Sequence, residues 1–316
     1  MPDKLIHGVY AAILTPRHAH ESIDEASFVR LLHFLLERGI SRFAINGATG
    51  EFCLTTPEHL RTLLSITRKT ASHAKILCGI GAAGTAATLE LAGIAAGEGA
   101  QAALLPMPYF FPYEQADLEA FVESVAGSVA LPVLLYNLPE FTSALKATTS
   151  YHLIREVPNV IGIKDSGRSP GTLRMLTREG IPACRIVGND GMLADALREQ
   201  VCDGVVSGVA CVLPELITAL FAERDRSGSD RFKQLSELLD VFRDQVSRFP
   251  TPWGLKWIAE AREICAATFS QPVAEVRRHQ GQQLMAWYRA WEANLFAIVN
   301  STGRLSARTS VSDECR

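Results

Sequence analysis

The sequence predicts an α/β protein, a (β/α)8 TIM barrel with a C-terminal three-helix appendage. Three observations predict it. Short apolar runs alternate with segments of helical period from Gly8 onward. Eight such strand–helix units fit into about 220 residues, the spacing of a closed parallel barrel. No strand-like run follows the eighth unit, and what remains reads as helix. The 316 residues suffice to bury one core of that size.

The first strand is predicted over residues 8–14, stopped by Thr15-Pro16. Asp24 then caps a helix whose apolar positions Phe28, Leu31, Leu32, Leu35 and Leu36 share one face. The second strand, residues 42–46, runs into Gly47-Ala48-Thr49-Gly50-Glu51. Thr56-Pro57 opens the next helix with proline in its first turn. The third strand is residues 75–80, followed by a helix over 85–98. The fourth, 102–105, leads into a proline-rich aromatic loop holding Pro106, Pro108, Tyr109, Phe110, Phe111 and Pro112. The fifth is residues 132–136. The sixth begins at Val160 and ends on Lys164, before a polar turn Asp165-Ser166-Gly167. The seventh is 185–187, with Asn189-Asp190 starting its helix, and the eighth is 204–207, with a helix from Leu213. Residues 1–226 are thus expected to form the barrel and 227–299 a helical segment, with helices near 230–248, 252–267 and 273–299. Residues 300–316, small and polar, are expected to be a mobile tail.

Composition narrows the function classes. A net charge of −3 implies no nucleic acid or other polyanion partner. No apolar run reaches membrane-spanning length and the N-terminus lacks a secretory pattern, so no membrane association and a cytoplasmic location are expected. Seven scattered cysteines without CxxC spacing argue against a disulfide framework. The one close histidine pair, His18 and His20, is a poor metal site, and no metal is expected. Gly79-Ile80-Gly81-Ala82-Ala83-Gly84 imitates a dinucleotide fingerprint, but the next strand ends Leu104-Leu105-Pro106 rather than on an acidic residue. A dinucleotide-dependent oxidoreductase is therefore a minor alternative, and the glycines are read as serving a tight turn.

In such barrels the reactive groups gather at the carboxyl ends of the strands. Those ends supply Thr15, Asn46 with the 47–51 loop, Tyr136-Asn137, Lys164, Asn189 and Ser207. A lysine at a dry barrel mouth is a nucleophile toward a ketone, and the iminium it forms is an electron sink for carbon–carbon cleavage or formation. The plain alternative is a lysine that has simply reached solvent. Tyr136, ending the neighbouring strand, has the hydroxyl for a proton shuttle, or else plugs the barrel as an aromatic cap. Thr49 lies in a glycine-flanked turn whose amides can converge on a carboxylate, and its hydroxyl can hold that carboxylate or bridge to Tyr136; an ordinary turn is the alternative. Glu51 reads best as a carboxylate tying its loop to backbone amides.

Gly8-x3-Ala12-x2-Thr15-Pro16, Gly47-Ala48-Thr49-Gly50-Glu51, Tyr136-Asn137-x-Pro139 and Gly162-Ile163-Lys164-Asp165 together resemble the dihydrodipicolinate synthase/N-acetylneuraminate lyase family of class I, Schiff-base aldolases. The resemblance covers about residues 6 to 265. It implies Lys164 as the Schiff-base lysine, Tyr136 as general acid/base and Thr49 as the third catalytic residue. Gly47, Ala48 and Thr49 would receive the carboxylate of a 2-oxo acid such as pyruvate, with Val206, Phe141 and Phe110 as further substrate contacts. It also implies a homotetramer, a dimer of dimers, without cofactor.

Three departures bear on the substrate. Ala48 stands where dihydrodipicolinate synthases generally have a first threonine. Phe110 stands at the position of a second tyrosine reached from the neighbouring subunit, with Tyr109 beside it. Phe141 stands where an arginine binds the aldehyde substrate's carboxylate, which exchanges a bidentate clamp for an apolar wall. A carboxylate desolvated there without a partner costs on the order of several kcal/mol. The expected activity is therefore cleavage or formation of a C–C bond in a 2-oxo acid, such as a 2-keto-3-deoxy sugar acid or 4-hydroxy-2-oxoglutarate, with pyruvate as product or co-substrate. Arg168 is a candidate for the missing clamp or a solvated loop residue. The alternatives are dihydrodipicolinate synthase proper, a Schiff-base dehydratase, and a barrel that binds a 2-oxo acid without turning it over.

Overall fold

The computed structural model describes residues 5–18 and 22–301. Eight parallel strands close into a barrel in chain order: β1 (Gly8–Ala12), β2 (Arg42–Ile45), β3 (Lys75–Gly79), β4 (Ala102–Pro106), β5 (Val133–Asn137), β6 (Val160–Asp165), β7 (Cys184–Val187) and β8 (Gly204–Ser207), with β8 pairing back onto β1. The predicted fold is the observed one. Around the strands lie α1 (Glu25–Glu37), α2 (Pro57–Thr70), α3 (Thr85–Gly97), α4 (Gln115–Ser128), α5 (Ala147–Glu156), α6 (Gly171–Arg178), α7 (Leu193–Arg198), α8 (Val209–Val212) and α9 (Pro214–Ala222). Then come α10 (Asp230–Val246), α11 (Trp253–Ala261) and α12 (Glu275–Val299). The expected tail at 300–316 lies almost wholly outside the described residues.

The helix starts follow their caps. Asp24 accepts the Ser27 amide at 3.0 Å, and Thr56 accepts the His59 amide at 3.2 Å ahead of Pro57. The first, second, third and eighth strands sit where the sequence put them, give or take the residues that bend into loops. The fourth carries on through Pro106, which pairs with Tyr136. Asn189-Asp190 opens a short 3-10 turn, Asp190–Met192, before α7, because the Asn189 side chain accepts the Gly191 amide at 3.0 Å.

Strand side chains alternate between two cores. One set points outward against the helices and forms the larger core. The other fills the lumen: Tyr10, Ala12, Ala44, Leu77, Leu104, Leu134, Tyr136, Ile186 and Val206 are all buried there. The register fixes what the lumen holds. Leu134 pairs with Gly162 and Tyr136 with Lys164, so the lysine shares the inward phase of the tyrosine. Two glycines of the false fingerprint, Gly79 and Gly81, serve close approach rather than a turn, whereas Gly84 has open space beside it. A methyl on Gly79 would strike the Asn46 carbonyl, and one on Gly81 would strike Pro106 and Phe52. No described helix is long and apolar enough to cross a membrane.

Candidate active site

A cavity of about 230 Å3 opens at the carboxyl ends of the strands. Its floor is made by Ala12, Tyr136, Lys164 and Val206. Lys164 is only 3% exposed, and its Nζ lies 3.7 Å from the centroid of the Tyr136 ring, which is equally buried. This is a desolvated cation–π contact, favoured by the adjacent in-register strands. Gly188, at the end of β7, makes room for it: a methyl there would approach Lys164 Cγ and Cε to 2.9 and 2.8 Å. The solvent-exposed reading of Lys164 is thereby set aside.

The 47–51 loop forms one wall. The amides of Gly50, Glu51 and Phe52 turn back onto the Gly47 and Ala48 carbonyls. Ala48 and Thr49 line the cavity, and their amides bond to no described residue, which leaves two donors for an anion. No hydrogen bond joins Thr49 to Tyr136, so the bridge between the two hydroxyls does not form. Gly47 itself stays behind the wall. Thr15 donates to the Gly50 carbonyl at 2.9 Å, and Asn46 donates to the Gly79 carbonyl at 2.7 Å. Both hold the loop rather than face the cavity. Glu51 is a structural carboxylate, but its partner is Lys256 of α11 at 2.7 Å, not backbone amides; both side chains are buried.

Opposite stand the loops after β6 and β7. Asp165 accepts from Asn137 Nδ2 and from the Gly167 amide, each at 2.9 Å, and so shapes the turn after Lys164. Burial pushes its carboxyl up against those bonds and one from Thr172. Asn189 and Asp190 reach the cavity. Burial also pushes the Asp190 carboxyl up, opposed by the Ser207 hydroxyl, the Val209 amide and the positive charges of Arg243 and Lys164. Oδ1 of Asp190 and Oγ of Ser166, both shielded from water, have no hydrogen-bond partner. Buried polar atoms are nearly always paired, so these two suit a polar ligand.

The roof was not legible in the sequence. Arg243, Val246, Ser247, Phe249 and Leu255, with the 250–252 turn, descend from the C-terminal helices and line the cavity. A helix-period reading finds the buried face of α10 (Phe232, Leu235, Leu239, Phe242) but cannot tell which end of the barrel it covers. Phe141 lines the rim and is 46% exposed, with Glu140 beside it. Phe110 lies outside the cavity of the single chain, 89% exposed with φ +79°. Arg168 is exposed and does not line the cavity. Among the described residues no cluster of His, Cys, Asp and Glu could hold a metal ion.

The sequence model of the dihydrodipicolinate synthetase family matches residues 5–290. A 4-hydroxy-tetrahydrodipicolinate synthase of Stenotrophomonas maltophilia is 33% identical over 256 residues, covering 79% of this chain and 85% of that protein. The chloride-inhibited dihydrodipicolinate synthase from Acinetobacter baumannii, solved with pyruvate, superposes with a TM-score of 0.81 at 26% identity over 89% of this chain and 98% of that one. The sialic acid aldolase of Ruminococcus gnavus shares the fold, with a TM-score of 0.81 at 17% identity over 92% of this chain and 99% of that one.

Proposed function

The chain belongs to the dihydrodipicolinate synthetase family and is a lyase of that family, and on that premise we propose that it cleaves or forms a carbon–carbon bond in a 2-oxo acid through an imine on Lys164, with pyruvate as product or co-substrate. One observation carries the reading. A buried amine, packed in register against a tyrosine, faces two uncommitted amides across a small cavity.

The Ala48 and Thr49 amides, with the Thr49 hydroxyl, receive the substrate carboxylate and aim its keto carbon at Nζ. Once the ammonium has given up a proton, the amine adds to that carbon, and loss of water gives the imine in its protonated, electron-accepting form. When the bond between C3 and C4 breaks, its electron pair moves into the imine to give an enamine, and the C4 hydroxyl proton departs as the fragment leaves as an aldehyde. Protonation at C3 and hydrolysis then release pyruvate and restore the amine. Tyr136 carries protons between these oxygens and the nitrogen. The A. baumannii relative solved with pyruvate supports pyruvate as the shared half.

Phe141 in the arginine's place argues for slow dihydrodipicolinate synthase turnover despite the names of relatives. A dehydratase on the same imine is the second reading. It is favoured by the position of Asp190, a buried carboxyl in the cavity lining that burial pushes up and that would be the group to protonate a departing hydroxide. The test is pyruvate release from 2-keto-3-deoxy sugar acids and 4-hydroxy-2-oxoglutarate, followed through lactate dehydrogenase. Release with at least one of these substrates, absent in Lys164→Ala, is the expected result. No release and no reverse condensation with any aldehyde contradicts the lyase reading.

A further inference from the structure

The loop after β7 seats two cations side by side. Gly188 gives way to the shaft of Lys164, as described above. Three residues on, Gly191 gives way to Arg243, whose guanidinium would collide with a methyl group at that position. Gly188 and Gly191 are separated by no more than about 11 Å even in a fully extended chain, and the 3-10 turn shortens that span. Between them Asp190 feels both charges. Arg243 lines the same cavity as Lys164. Its Nη1 donates to Asp240 at 3.2 Å, where Asp240 is mostly in solvent, and its Nη2 bonds to no described residue.

We infer that Arg243 receives a second carboxylate on the substrate, so that the lyase acts on a dicarboxylic 2-oxo acid anchored at one end by the Ala48–Thr49 amides and at the other by this guanidinium. The inference rests on the Schiff-base reading and narrows it. A planar guanidinium binds a carboxylate through two parallel hydrogen bonds. The acidic groups nearby, Asp190 and Glu140 in the lining and Asp240 behind, outnumber the two cations, so a dianionic group such as phosphate finds no surplus of positive charge here. Lys164 and Arg243 are seated against glycines three residues apart, so a short dicarboxylic chain held as an imine on the lysine can reach the guanidinium. The anchor therefore stands by β7, under α10, and not after β5 where Phe141 has replaced the family's arginine.

The test offers the protein equal concentrations of 2-oxoglutarate and 2-oxopentanoate, which differ by one carboxylate against a methyl group. Borohydride delivers hydride to the imine carbon and fixes each adduct, and mass spectrometry reads their ratio. The wild-type protein should favour the dicarboxylate about tenfold or more, the usual scale of a charged hydrogen-bonded pair. Arg243→Gln should lower the ratio by a similar factor, and Arg243→Lys should fall between. Arg168→Gln, in the exposed loop, should keep the wild-type ratio. The ratio is internal to each protein, so partial misfolding does not disturb it, and Arg243→Lys supplies the reading if Arg243→Gln does not fold. A wild-type ratio near one, or Arg243 variants that keep the wild-type ratio, would overturn this inference alone. Absence of any adduct even with pyruvate would overturn the Schiff-base reading and this inference with it.

Discussion

Lys164 owes its place to phase and its surroundings to glycine. The strand alternation that buries Leu134 and Tyr136 in the lumen turns Lys164 inward on the next strand, and Gly188 leaves room for its shaft. This much was legible in the sequence: a lysine ending an apolar strand, a tyrosine ending the one before, and a glycine-bearing loop after the second. Arg243 was not legible, because a helix surface reads the same whether it faces solvent or roofs a cavity. Nor was the partner of Glu51, which lies 205 residues away. Lys164→Ala should abolish imine formation with every 2-oxo acid. Tyr136→Phe should lower kcat by about 10²- to 10⁴-fold, the contribution of a positioned acid–base group, while pyruvate affinity changes little. Steady-state kinetics with pyruvate release as the signal checks this, and unimpaired turnover would remove the tyrosine from the proton path.

At the scale of elements, the C-terminal helices are fastened to the barrel by buried charge. Lys256 of α11 pairs with Glu51 and also donates to the Thr268 carbonyl at 2.9 Å. Removing one partner strands the other, so Lys256→Met should cost about 3–5 kcal/mol in urea unfolding, and the double variant with Glu51→Gln should recover much of the loss. Additive losses would contradict a direct pair. On the other side Arg262, at the end of α11, and Arg38, at the end of α1, converge on Glu215 of α9 at 2.9 and 2.8 Å. Burial by itself would raise the Glu215 carboxyl, but the two arginines outweigh it and hold it below its ordinary value. A carboxyl lowered in the folded state adds stability above its unfolded value near 4.5, and that contribution fades as pH falls through the folded value. Glu215→Gln should therefore be less stable than wild type at pH 7, with the gap closing in acid. Urea unfolding at both ends of that window measures it, and a gap independent of pH would mean that the carboxylate's charge is not what matters.

For the whole molecule, strand–helix alternation was enough to specify the closed barrel, and the cavity opens at the end of it where such barrels carry their reactive groups. The same pattern placed three helices after the eighth strand but said nothing of their lowering Val246, Phe249 and Leu255 over the mouth. That roof makes the cavity small and excludes water from the amine. On the proposal for Arg243, substrate choice moves with it to a part of the chain outside the barrel motifs. Dihydrodipicolinate synthase activity should accordingly fall below lyase activity on a preferred 2-oxo acid, since Phe141 leaves the aldehyde's carboxylate no partner after β5 and the anchor proposed at Arg243 stands by β7 instead. Comparing kcat/KM for the two reactions decides it. The most direct test of the account is reductive trapping. The protein is incubated with pyruvate and borohydride, digested, and its peptides weighed. The account predicts one pyruvyl adduct, on the peptide carrying Lys164. An unmodified protein, or an adduct on Lys256, which is also buried, would contradict it.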